Sequence, residues 1–149
     1  MNSEPIHILL VDDNSTDLLI MREAFAQTAL NSVLHTAKNG EEAMAFLRHA
    51  HGFADAPRPS LIILDLNMPR KNGHEVLMEI KSDPLLLRIP VIVLTSSQAD
   101  EDVSKAYAAH ANCYIRKPVD FEQFEKLMPI IQQFWFETVI LPTHKIPVH

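Results

Sequence analysis

Asp12-Asp13, Asp65, Thr95 and Lys117 are the residues of this chain whose types and settings could do chemistry. Each stands where an apolar run gives way to polar residues. Three carboxylates gathered in one place repel one another, so either some protonate or a cation binds. A hard divalent cation suits oxygen ligands. Mg²⁺ takes one or two carboxylates, keeps several waters and accepts a phosphate oxygen. Such a site is an incomplete Mg²⁺ shell awaiting a phosphoryl group. Asp65 could then act as a nucleophile and form an aspartyl phosphate. Mg²⁺ and the Lys117 ammonium would neutralise charge on the equatorial oxygens, and the Thr95 hydroxyl would donate to one of them. Singly, each residue also has a plainer reading. Asp12-Asp13 could cap a helix, Asp65 and Thr95 could be polar strand ends, and Lys117 could be a solvated cation.

What separates the two readings is the set of elements that must carry these residues. Leu61-Ile62-Ile63-Leu64 is apolar without alternation and has helical patterns on both sides, which predicts a strand buried on both faces and ending on Asp65. Ile6 to Val11 is a second such run and ends on Asp12-Asp13. Asn14-Ser15-Thr16-Asp17 is rich in capping residues and opens a helix to about Thr28. Ser32 to Ala37 alternates loosely and reads as a short strand. Asn39 with Glu42 three residues on is a capping-box variant for a helix to about Ala50. His51 to Pro59 is a loop. Gly73 to about Ser82 is helical, with Val76, Leu77 and Ile80 on one face, and Asp83-Pro84 ends it. Val91 to Leu94 is a buried strand ending at Thr95, and a helix follows from about Asp100 to Ala109. Asn112 to Arg116 is the fifth strand, ending on Lys117-Pro118. Asp120, with Gln123 at its third position, opens the last helix.

The order is strand-helix five times. That alternation predicts a doubly wound parallel α/β sheet with right-handed crossovers and helices on both faces. Four of its five strands then deliver a polar functional residue to the same carboxyl edge, where open α/β sheets place their chemistry.

Composition narrows the field. The 149 residues fit one domain, and 47% hydrophobic with 21% charged residues is a globular balance. A net charge of −6 without a basic stripe argues against a nucleic-acid surface. No apolar run is long enough to span a bilayer. The single cysteine, Cys113, excludes an internal disulfide and points to a reducing cytoplasm; its apolar neighbours suggest an inert thiol. With only Gly40, Gly52 and Gly73, the chain lacks a Gly-rich phosphate loop. His49 and His51 read as a surface helix end rather than a metal site.

The set Asp12-Asp13, Asp65 in LDLNMP, Thr95 in VIVLTSS and Lys117-Pro118 resembles the receiver domain of two-component response regulators over about residues 6–135. The resemblance implies a flavodoxin-like (βα)5 fold with strand order 2-1-3-4-5. It implies transfer of a phosphoryl group from a histidine kinase to Asp65, with Mg²⁺ or Mn²⁺ as cofactor. It implies that Asp13, Asp65 and the Asn67 carbonyl hold the metal directly and Asp12 mainly through water. Thr95 and Tyr114 are implied as the switch pair, and Asn67 and Ser97 as residues that tune the lifetime of the phosphoryl group. The long loop from His51 to Pro59 and the segment from Phe134 to Pro142 resemble the small regulators that partner phytochrome-type histidine kinases. The expectation is a single receiver domain over 1–149, with residues 136–149 as a C-terminal extension. Seven residues follow Pro142, so output is expected through protein contacts rather than an effector domain.

Two surfaces are expected. Leu18-Leu19-Ile20-Met21 cannot all face the core of a helix, so Leu18 and Leu19, with Pro118 and Val119 across the site, are candidates for kinase docking. Phe134, Trp135 and Phe136, with the apolar residues to Leu141, are expected to make a homodimer with the fourth and fifth helices and strand five. Pro129 is expected to interrupt the last helix and direct this tail outward. The alternative is a tail that folds back over its own domain. For function, the alternative is a Mg²⁺-dependent phosphatase of the haloacid-dehalogenase type. That chemistry needs a second acid two residues after the nucleophile, and Asn67 stands there. A flavin carrier on the same fold would need a phosphate loop where Asp12-Asp13 would repel the phosphate.

Overall fold

The Leu61–Leu64 strand is buried at every position, as is Val91–Thr95. Unbroken apolar runs of this kind need cover on both faces, and a parallel sheet flanked by helices provides it. The computed structural model describes residues 5–28 and 31–142. In chain order the elements are β1 (Ile6–Val11), α1 (Ser15–Ala26), β2 (Ser32–Ala37), α2 (Gly40–Leu47), β3 (Leu61–Leu64), α3 (Gly73–Ser82), β4 (Val91–Thr95), α4 (Asp100–Ala108), β5 (Cys113–Arg116) and α5 (Phe121–Gln132). A π-helical turn, Gln133–Thr138, extends α5. All pairings are parallel and the sheet order is β2-β1-β3-β4-β5. This is the flavodoxin-like (βα)5 fold. No helix among the described residues is long and apolar enough to cross a membrane.

The strands alternate their side chains between two cores, as the pleat requires. Leu9, Val11, Ile62, Leu64, Val91 and Val93 face a core closed by α2, α3 and α4. Ile8, Leu10, Leu61, Ile63, Ile92 and Leu94 face a core closed by α1 and α5. Helix starts are fixed by side-chain caps. Asn14, Asn39, Asn72 and Asp120 accept hydrogen bonds from the amides of Asp17, Glu42, Glu75 and Gln123. The β3–α3 connection is drawn tight at Gly73, where an added Cβ would lie 2.3 Å from the Asp65 carbonyl oxygen. That contact excludes any larger residue and holds the start of α3 against the end of β3.

Three expected helix ends move, and β5 begins at Cys113 rather than Asn112. α1 ends at Ala26 rather than Thr28, α2 at Leu47 rather than Ala50, and α4 at Ala108. α2 and α4 both end on a histidine in the left-handed region, His49 (φ 58°) and His110 (φ 71°). His49 N–H donates to Phe46 and Ala50 N–H to Ala45; His110 N–H donates to Tyr107 and Ala111 N–H to Ala106. These are Schellman caps built without glycine. His49 and His51 are both exposed just past α2.

Pro129 does not interrupt α5, which runs through it to Gln132. It sits on the exposed side of the helix, where water can serve a carbonyl that lacks its amide donor. The tail is therefore not turned away at that point. Trp135 and Phe136 pack, half-buried, against the α1–α5 core, whereas Phe134 and Ile140 remain exposed. The expected fully outward tail is corrected to one that is partly folded back.

Candidate functional site

Residue pairing in the sheet fixes the site. The Asp65 amide donates to the Val11 carbonyl at 2.9 Å, which sets the end of β3 beside the end of β1. The Lys117 amide donates to the Thr95 carbonyl at 2.7 Å, which sets the end of β5 beside the end of β4. Asp12 is 1% exposed, Asp65 6% and Thr95 fully buried, while Asp13 is exposed. Ligand oxygens of Asp12, Asp13 and Asp65 lie within 4.8 Å of one another. The side chains that the sequence places at four strand ends thus share one edge.

Lys117 reaches into this group. Its Nζ lies 2.8 Å from Asp12 Oδ2, 3.1 Å from Asp65 Oδ2 and 2.8 Å from Asp17 Oδ2. Burial alone would lower the Lys117 pKa, but hydrogen bonds to Asp12 and Asp17 and the nearby negative charges raise it above the usual lysine range. The Asp12 pKa is raised as well, but there the charged form is the one disfavoured. Burial pushes its carboxyl up to about 6, although Lys117 and the Asn14 amide, at 2.9 Å, favour the charged form. Asp65 Oδ1 accepts from the Asn67 amide at 3.2 Å, and Asn67 Nδ2 donates to Thr95 Oγ1 at 3.4 Å. The Cys113 thiol is pushed up to about 11 by burial, so it is protonated at neutral pH.

Three clustered carboxylates, one of them destabilised as an anion and one open to solvent, are a donor set suited to a hard divalent cation. Asp65 belongs to that set and also contacts the Lys117 ammonium. A phosphoryl group arriving there would meet positive charge from two sides.

Asp17 was not legible as part of this site; its sequence position reads as a capping residue. The signal available was its place in the first turn of α1, which begins just after Asp12-Asp13. Tyr114, the expected switch aromatic, is half-buried on β5, and its hydroxyl donates to the Ser97 carbonyl at 2.9 Å.

The expected docking residues divide. Leu19 is 57% exposed and Val119 is 87% exposed, with Pro118 intermediate. Leu18, expected with Leu19 on that surface, is 4% exposed and belongs to the α1–α5 core. The helix turns about 100° per residue, so Leu18 and Met21 share the buried face and Leu19 lies outside it.

Comparison with known proteins agrees with this geometry. The response regulator receiver domain matches residues 8–128. The chain is 43% identical over 141 residues to response regulator Rcp1 of Synechocystis sp., covering 95% of this chain and 96% of that protein. The crystal structure of the phosphorylated cyanobacterial phytochrome response regulator RcpA superposes with a TM-score of 0.91 at 44% identity, covering 94% of this chain and 100% of that one. The Mn²⁺-bound form of Rcp1 superposes with a TM-score of 0.89 at 43% identity, covering 93% and 100%. With its five parallel strands in the order 2-1-3-4-5 and its acidic edge facing Lys117, the chain belongs to the receiver domain family of response regulators.

Proposed function

We propose that this receiver accepts a phosphoryl group on Asp65 from a phytochrome-type sensor histidine kinase and signals by a change of conformation. The observation that carries the reading is the Lys117 ammonium held at once on Asp12 and on Asp65 at the carboxyl edge of the sheet. The kinase class is supported by likeness to Rcp1 and to the phytochrome response regulator RcpA along nearly the whole chain.

In the transfer, an Asp65 carboxylate oxygen attacks phosphorus and a P–O bond forms. The P–N bond of the donor phosphoimidazole breaks, and its electron pair stays on the imidazole nitrogen. A Mg²⁺ or Mn²⁺ ion would be held by Asp13, Asp65 and the Asn67 carbonyl, with Asp12 behind a water, and would neutralise charge on the phosphoryl oxygens. Lys117 supplies an ammonium donor from the other side. Thr95 supplies a hydroxyl that is already next to Asn67. The protein acts as a switch rather than an enzyme that turns over a phosphomonoester, because the position two residues after Asp65 is an amide that cannot serve as a general acid. Its place of action is the cytoplasm, where a kinase would present the phosphohistidine.

Phosphotransfer profiling tests the partner. Radiolabelled phytochrome-type kinases should pass label to the purified chain faster than other histidine kinases from the same cell. Equal rates from all kinases would remove the phytochrome assignment and leave the receiver reading in place.

A further inference from the structure

Lys117 has three N–H donors. Three carboxylates take them: Asp12 and Asp17 at 2.8 Å and Asp65 at 3.1 Å. Asp17 lies outside the trio of carboxylates that could hold a cation and joins the site through the Lys117 ammonium. It also differs from the other two in its surroundings. The Asp12 and Asp65 side chains are 2% and 7% exposed, whereas that of Asp17 is 16% exposed, in the first turn of α1.

A phosphoryl group on Asp65 would bring new negative oxygens within reach of Lys117. With all three donors committed, one existing contact must give way. The donor on Asp65 can pass to a phosphoryl oxygen once that carboxylate becomes an acyl phosphate, but a second phosphoryl oxygen is met only at the expense of Asp12 or Asp17, and uncovering Asp12 would strand a buried carboxylate. Asp17 can turn to water instead. We propose that Asp17 is a positioning residue: it holds Lys117 in the resting site and competes with the phosphoryl oxygens for that ammonium. Its carboxylate thereby sets how strongly the site takes an anion. This inference rests on the proposed phosphoryl-acceptor function.

The sign follows from charge. Asp17→Asn removes a negative group beside an anion-binding position and loosens the hold on Lys117, so anion affinity rises. It does nothing to favour a cation. The first turn of α1 keeps its cap, since that bond uses the Asp17 backbone amide and the Asn14 side chain.

The test uses the full chain, its Asp17→Asn and Asp17→Glu variants, and titration with beryllofluoride at saturating Mg²⁺, followed by NMR. A second titration uses Mg²⁺ alone, and circular dichroism verifies folding. Asp17→Asn is expected to bind beryllofluoride about tenfold more tightly than the wild type, with Mg²⁺ affinity equal or lower. Asp17→Glu, which restores the charge, is expected near the wild-type value for both. A folded Asp17→Asn protein with unchanged or weaker beryllofluoride affinity overturns the role. So does equal tightening for Mg²⁺, or a Glu variant that behaves like Asn. A wild-type chain that binds no beryllofluoride overturns the phosphoryl-acceptor function itself, and the Asp17 role with it.

Discussion

The Tyr114 hydroxyl donates to the Ser97 carbonyl at 2.9 Å and so ties β5 to the loop that follows Thr95. In the same loop, Ser97 Oγ donates to Asp102 Oδ2 at 2.5 Å at the start of α4. Tyr114, Ser97 and Asp102 therefore join the end of β4, α4 and β5 into one hydrogen-bonded unit. Movement of buried Thr95 toward a phosphoryl oxygen would pull directly on this loop. A ligand shifts such an element only by its differential affinity for the two arrangements.

The first expectation concerns that unit. Beryllofluoride with Mg²⁺ should draw Thr95 toward Asp65 and break the Tyr114–Ser97 bond, with the ring moving into the space that Thr95 leaves. A structure of the complex, or the ring resonances of fluorotyrosine at position 114, reports it. A Tyr114 hydroxyl still on Ser97 in the saturated complex contradicts it.

Much of this architecture was legible in the sequence, and the exceptions have physical causes. Apolar runs marked the strands because parallel strands are buried on both faces. Asn14, Asn39 and Asp120 marked helix starts because their side chains do accept from the amide three residues on. The end of α2 was not legible. Left-handed caps are usually glycine, and His49 carries no such signal. The path of the tail was misjudged because Pro129 was read as a break, whereas an exposed helix side tolerates it. Of the site, every strand-end residue was legible. Asp17 was not, because its carboxylate joins the site through a lysine distant in sequence.

The second expectation separates two adjacent leucines. Leu18 is core, and Leu18→Ala should cost about 2–5 kcal/mol of folding stability. Leu19→Asp should change stability by no more than about 0.5 kcal/mol, since the side chain is exposed. The same change should slow phosphotransfer from the cognate kinase about tenfold, the equivalent of about 1.4 kcal/mol of docking energy. Urea unfolding and transfer kinetics read the two effects. An undiminished transfer rate for Leu19→Asp removes this side of α1 from the docking surface.

The third expectation follows from Asp12. Burial raises its carboxyl in the fold to about 6, above the ordinary aspartate value of 3.8. The fold therefore binds this proton more tightly than the unfolded chain does. The contribution favours folding below about pH 4 and is lost as pH rises through about 6. At pH 7.5, without metal, the charged Asp12 weakens the fold. Asp12→Asn should then add about 2 kcal/mol in the presence of a chelator, and the gain should vanish near pH 4. Urea unfolding at both pH values measures it. A metal-free Asp12→Asn protein less stable than the wild type at pH 7.5 would contradict the assignment.

The fourth expectation concerns the proposed homodimer of the tail with α4, β5 and α5. In the tail itself Phe134, 49% exposed, and Ile140, 98% exposed, are apolar groups left open, while Trp135 and Phe136 pack on the subunit's own core. Phe134→Ser with Ile140→Ser should weaken self-association without loss of stability. Trp135→Ala should lower stability by about 1–3 kcal/mol, the burial of part of a large aromatic ring. Sedimentation equilibrium and urea unfolding distinguish these effects. A full chain that stays monomeric at micromolar concentration, with and without beryllofluoride, excludes the dimer.

The central claim is that Asp65 is the phosphoryl acceptor. Its most direct test is labelling of the wild-type chain and of Asp65→Asn by acetyl phosphate with Mg²⁺, read by intact mass. The wild type should gain one phosphoryl group, lost on treatment with chelator before labelling or with hydroxylamine after it. Asp65→Asn, folded and with the same sheet, should gain none. Labelling of Asp65→Asn to the wild-type level would contradict the account.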